Sequence, residues 1–209
     1  MGQLFNLESP LYKILSRAVD LVILNFLFLL FCIPIITIGA SMTALYSVLI
    51  KMVKDEDKHI VKSFIVSFKK NFTQSTIVWF IMSAAGFLLL ANAFLSGSLS
   101  GVSKIFFASM LIIFGFVYLG SFLFIFPYMA RYEDTIKKTF LNSLLIGFFN
   151  LPYLLLLLLV NLSPVIFILS SSIGFLSGLY IGTFGGFALF AFINSYILRK
   201  AFSKYEVRV

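Results

Sequence analysis

The chain has 209 residues, 61% hydrophobic and only 11% charged, with a net charge of +8. A soluble domain carries about 25% charged residues and could not hide this much apolar surface, so composition excludes a water-soluble fold and points to a polytopic membrane protein. Basic residues of such proteins collect in cytoplasmic loops, so the charge excludes a nucleic-acid partner, and the single cysteine, Cys32, leaves no internal disulfide.

In chain order, residues 1–20 put Leu11, Ile14, Leu15 and Ala18 on one helical face, with Lys13, Arg17 and Asp20 off it. This is an interfacial lead-in, and Ser9-Pro10 has the form of an N-cap followed by proline at the first helical position. From Leu21 to Ile50 there is no charged side chain. About 30 residues are too many for one ordinary crossing and few for two. Pro34 and Gly39 mark a break inside the run. Either one long tilted helix crosses once, or a helix enters, turns over residues 34–39 and returns through Met42 to Met52 with Ser41 as its cap.

The next stretch is the most polar. Phe64, Phe68 and Phe72 lie on one helical face with Ile60, Val61 and Ile65, while Lys62, Lys69 and Lys70 lie off it. That pattern predicts an amphipathic helix over 60–72, lying in the headgroup plane or docked on a partner. A span follows over 77–95 with Trp79 as interfacial anchor, then a turn at 96–101 and a span over 105–129. In the charged segment 131–140, Glu133–Lys137 and Asp134–Lys138 are acid–base pairs at i,i+4. Together with Arg131 and Tyr132 they predict a short charged helix that makes cytoplasmic contacts.

Residues 144–160 read as a further span with Pro152 inside it and 161–164 as its exit turn. Ser170–Ser172 end an outer loop, and Ile173–Leu198 form the last span. Within it Gly174, Gly178, Gly182 and Gly186 recur every four residues, the small-xxx-small pattern of a close helix crossing, either internal or on a partner chain.

Lysines and arginines alternate rich, poor, rich, empty, rich along successive loops. The rich loops are therefore expected in the cytoplasm, together with both termini. A hairpin at 21–50 keeps Lys13 and Arg17 with the other positive charges and is preferred. The expected fold is a single all-α transmembrane bundle over residues 1–209, with five to six crossings and short amphipathic cytoplasmic helices. The later apolar runs contain no Asp, Glu, Lys, Arg or His, whereas ion-coupled transporters need such groups near the midplane. Asn25, Asn92, Asn142, Asn150 and Asn194 read as interhelical hydrogen-bond partners. No paired carboxylates, metal cluster, activated nucleophile or phosphate loop is recognisable, so neither catalysis nor a cofactor is expected.

The segments 34–40 (PIITIGA), 43–46 (TALY), 63–72 and Pro127 through Arg131-Tyr132, with the N-terminal MGQLFNLESP, resemble the YesL-like family of small bacterial membrane proteins. Members of that family are typically encoded beside carbohydrate-utilisation genes, often with components of ABC importers, and have no established catalytic residues. The resemblance implies an accessory subunit or assembly partner of a carbohydrate ABC importer in the bacterial plasma membrane. Besides membrane lipids, it would contact the permease subunits, or the ATPase through the cytoplasmic helices. The alternative is a self-contained channel or facilitator for a neutral solute, lined by Asn, Ser, Thr and Tyr.

Overall fold

The computed structural model describes residues 10–54, 56 and 59–206, all helix and connecting turn; the Ser9 cap, Lys58 and Arg208 lie outside them. Its helices are α1 (Pro10–Cys32), α2 (Ile38–Met52), α3 (Ile60–Gly97), α4 (Gly101–Arg131), α5 (Ile136–Phe149), α6 (Leu151–Ser170), α7 (Ser172–Ile181) and α8 (Phe187–Glu206). Six helical stretches are long and apolar enough to cross a membrane: Leu11–Cys32, Ile35–Met52, Ile60–Gly97, Gly101–Arg131, Leu151–Ser170 and Ser172–Tyr205. The protein is a multi-pass helical bundle.

The first apolar run is broken, as the hairpin reading requires. Pro34 adopts an extended conformation (φ −74°, ψ 114°) and a 3-10 turn follows at Ile35–Thr37. The Thr37 hydroxyl donates to the carbonyls of Phe31 at 2.5 Å and Pro34 at 2.6 Å, bridging the two sides of the break. Ser41 is no cap: it lies inside α2 and donates to the Thr37 carbonyl. Nor does Gly39 belong to the break. It sits in α2, where an added Cβ would lie 2.5 Å from the Ser75 carbonyl and 2.7 Å from Trp79 Cβ on α3.

α2 is the hub of the bundle, packing on α1, α3, α4 and α8, and twelve of its fifteen residues are buried. Gly39, Thr43 and Ser47 repeat every four residues and let α3 approach closely, with Thr43 and Ser75 hydroxyls 2.9 Å apart. A helix enclosed by neighbours need not match the bilayer thickness, so α2 can be short.

The lysine-bearing segment 60–72 is not a separate interfacial helix. α3 continues without interruption for 38 residues, because no proline or glycine occurs before Gly86 and Asn71 folds back onto the Ser67 carbonyl within the helix. At 1.5 Å per residue it is about 57 Å long, nearly twice the roughly 30 Å of a hydrocarbon core. Trp79 is half-buried, packed against Phe126 of α4 and Gly39 of α2. Beyond Met82 on α3, and until Gly120 on α4, no residue is buried. This part of the pair is a two-helix arm clad in exposed Phe87, Phe94 (85% exposed) and Ile112.

Residues 132–135 are not helical, so the predicted charged helix does not form; α5 starts only at Ile136. α5 and α6 meet at Asn150, which divides the expected span 144–160. Pro152 cannot be accommodated deep in a helix without breaking it, and here it occupies the first turn of α6. Residues 161–164 are no exit turn but lie within α6, where the Ser163 hydroxyl donates at 3.4 Å to the Val160 carbonyl that Pro164 leaves without its N–H partner.

The last apolar run holds two helices rather than one. Between α7 and α8, Gly182–Gly186 form a wide π-type turn with Gly185 at φ 158°, ψ −4°. The four glycines therefore do not share one continuous helix face. Unpaired backbone groups inside a membrane bundle cost several kcal/mol each, so such a break needs partners. Asn25 supplies them. Its Nδ2 donates to the Gly182 and Thr183 carbonyls, both at 2.9 Å, and its Oδ1 accepts from the Ala188 N–H at 3.1 Å.

Candidate functional site

The broken helix borders a half-open cavity of about 560 Å³ between α1, α2, α6, α7 and α8. Its walls are largely apolar and include Phe28, Met42, Leu45, Ile168, Ile181 and Phe187. Gly178, Gly182 and Gly186 also line it, so three of the four predicted glycines converge there. Gly174 and Gly178 hold α7 against α6. A Cβ at Gly178 would overlap the Ile168 side chain, and one at Gly174 would overlap the Phe167 carbonyl.

One end of the cavity is polar. Asn161 on α6 and Asn194 on α8 form a reciprocal amide pair, Nδ2 to Oδ1 at 3.1 and 3.0 Å. The second N–H of Asn161 goes to the Leu157 carbonyl at 2.7 Å, and that of Asn194 to the Tyr46 hydroxyl at 3.4 Å. Both amides have therefore committed every N–H they possess. Asn194 was legible as an interhelical partner from its residue type. Asn161 was missed because it stood in a presumed exit turn.

The other predicted residues gather at the charged end of α3 and α4. Phe64 is fully buried and, with Phe68, packs edge-on against Phe31 of α1 at 5.5 and 4.7 Å; only Phe72 is exposed. Lys62, Lys69 and Lys70 are exposed, as are Lys137 and Lys138 at the start of α5. Glu133 pairs with Lys70 on α3 instead of with Lys137. Asp134 accepts from the Tyr128 hydroxyl at 2.5 Å and from Asn142 at 3.3 Å, rather than meeting Lys138. Gln74 donates to the Asp134 carbonyl at 2.6 Å, tying the connection to α3. Arg131 lies over the rings of Tyr132 and Phe202, 6.0 and 5.6 Å from their centroids. Among the described residues no three His, Cys, Asp or Glu side chains come together.

No curated protein and no solved structure matches the chain. Residues 21–93, from the middle of α1 to near the end of α3, match the model of a family described as a protein of unknown function, DUF624.

Proposed function

We propose that this protein is a YesL-like, non-catalytic accessory subunit or assembly partner of a carbohydrate ABC importer in the bacterial plasma membrane, with its C-terminus in the cytoplasm. The family match over 21–93 covers the PIITIGA and TALY segments on which the likeness to the YesL-like family rests. The observation that carries the reading is where the polar groups of the bundle are spent. Asn25 holds a helix break, Asn161 and Asn194 hold each other, and Asn150 bonds the Ile146 carbonyl and Tyr205 at 2.9 Å each. A path for a sugar needs amides and hydroxyls that are open to the solute; these four amides are closed on the protein itself, while Asn92 Oδ1 on the arm and Thr76 Oγ1 keep no partner among the described residues.

What the chain offers outward is a lysine face on the first turns of α3 and α5, beside a connection locked by Asp134 and Gln74. Such a rigid basic surface suits a contact with the permease subunits or the ATPase of an importer. Purification in a mild detergent from the native membrane should bring importer permease chains with the protein. Lys62→Glu combined with Lys69→Glu should release them. A homo-oligomer that carries neutral solute flux in liposomes, with no permease present, would replace this reading by the facilitator one.

A further inference from the structure

We infer that the cavity between α1, α2, α6, α7 and α8 is a binding site for one hydrocarbon chain of a lipid. At about 560 Å³ it lies within the roughly 300–1,000 Å³ range of small-molecule sites. Along α6 it extends from Asn161 to Ile168, seven residues or about 10 Å. Three properties select the occupant. The walls are apolar, so hydroxyl groups of a sugar would be buried without partners. The polar end has no free amide N–H; it keeps one lone pair on each Asn Oδ1 and the Tyr46 hydroxyl proton, too few groups for the several hydroxyls of a sugar. Left empty, the lining would forfeit its dispersion contacts on one side. In a bilayer the medium at hand is acyl chain, which asks for no hydrogen bond and supplies those contacts.

The recess persists because its α7–α8 wall is built from glycine. Gly182 and Gly186 belong to the break, whose backbone is held by Asn25, and neither has a side chain with which to fill the space. Asn25 thereby maintains the site without touching its contents.

The test uses the full chain in vesicles of phosphatidylethanolamine and phosphatidylglycerol doped with a phospholipid carrying a diazirine at the end of one acyl chain. A parallel sample carries the free fatty acid with the same group. Both are exchanged into detergent, irradiated and mapped by mass spectrometry. Adducts at Phe28 and Phe187 should exceed those at the arm residue Phe94 by about tenfold or more, an affinity difference of about 1.4 kcal/mol. Labelling by the phospholipid assigns the chain to a bilayer lipid, and labelling by the acid alone to a free acid; either supports the site. Met42→Trp, and separately the half-exposed Ile181→Trp, should remove the Phe187 adduct and leave that at Phe94 intact. Equal labelling of Phe187 and Phe94 in the wild type, or cavity adducts that survive both filling substitutions, would overturn the inference.

Discussion

At Asn25 one side chain stands in for three backbone partners. Replacing it by Leu keeps the volume close but removes all three hydrogen bonds to the break, each worth about 1 kcal/mol net. Asn25→Leu should therefore lower the thermal unfolding temperature in detergent more than any other single amide-to-apolar change. Unfolding at the wild-type temperature would mean the break is held by packing alone. Glycines separate in the same way. Gly39→Ala and Gly178→Leu put atoms into Ser75 and Ile168, and overpacking of this kind costs about 1–3 kcal/mol. Gly115 has nothing within 4 Å of an added Cβ, so Gly115→Ala should be neutral or stabilise by up to about 1 kcal/mol. Residue type alone identified Asn25, Asn142, Asn150 and Asn194 as helix-to-helix partners, whereas Asn92 Oδ1 has none among the described residues, and the partner of Asn25 lies 157 residues away and is itself a break. A period-four glycine pattern reads the same in an intact helix and in one opened at Gly185, so the pattern could not reveal the opening.

At the scale of elements, the charged connection after α4 shows why local pairing misled. Two i,i+4 ion pairs offer about 0.3–0.5 kcal/mol each to a helix. Against them stand the Tyr128, Asn142 and Gln74 hydrogen bonds to Asp134, which hold residues 132–135 extended. Two of those bonds run to a carboxylate, and charged bonds are the stronger kind. Asp134→Ala should thus open the connection to protease in inside-out vesicles. Glu133→Ala, which loses only the exposed pair with Lys70, should cost less than about 1 kcal/mol and leave protection unchanged. Equal sensitivity of the two variants would contradict this ranking. Pro34 was readable because proline acts through its own covalent geometry. The continuity of α3 was not, since a change of face from polar to apolar looks like a boundary even where the backbone has no reason to stop.

For the whole molecule, the positions of the turns matter more than their number. Gly39 touches α3 at Ser75, 22 residues or about 33 Å before α3 ends at Gly97. The α1–α2 turn therefore lies deep beside α3 and is clad in exposed Ile35 and Ile36. In a Cys32→Ala background, Ser98→Cys should react with a water-soluble maleimide from outside, whereas Ile35→Cys should resist it from both sides. Rapid outside labelling of Ile35→Cys would place the two turns on one face and refute the depth assignment.

The uninterrupted α3 has a mechanical side as well. About 15 of its residues, 60–74, precede the stretch that enters the apolar arm, and they carry Lys62, Lys69 and Lys70. With no hinge between the two parts, the helix is a lever whose short limb is about 22 Å long, so each 10° of tilt swings its tip by about 4 Å. Tilt follows bilayer thickness, so any tilt of α3 would move the lysine face together with Phe31 and the α4–α5 connection packed on it.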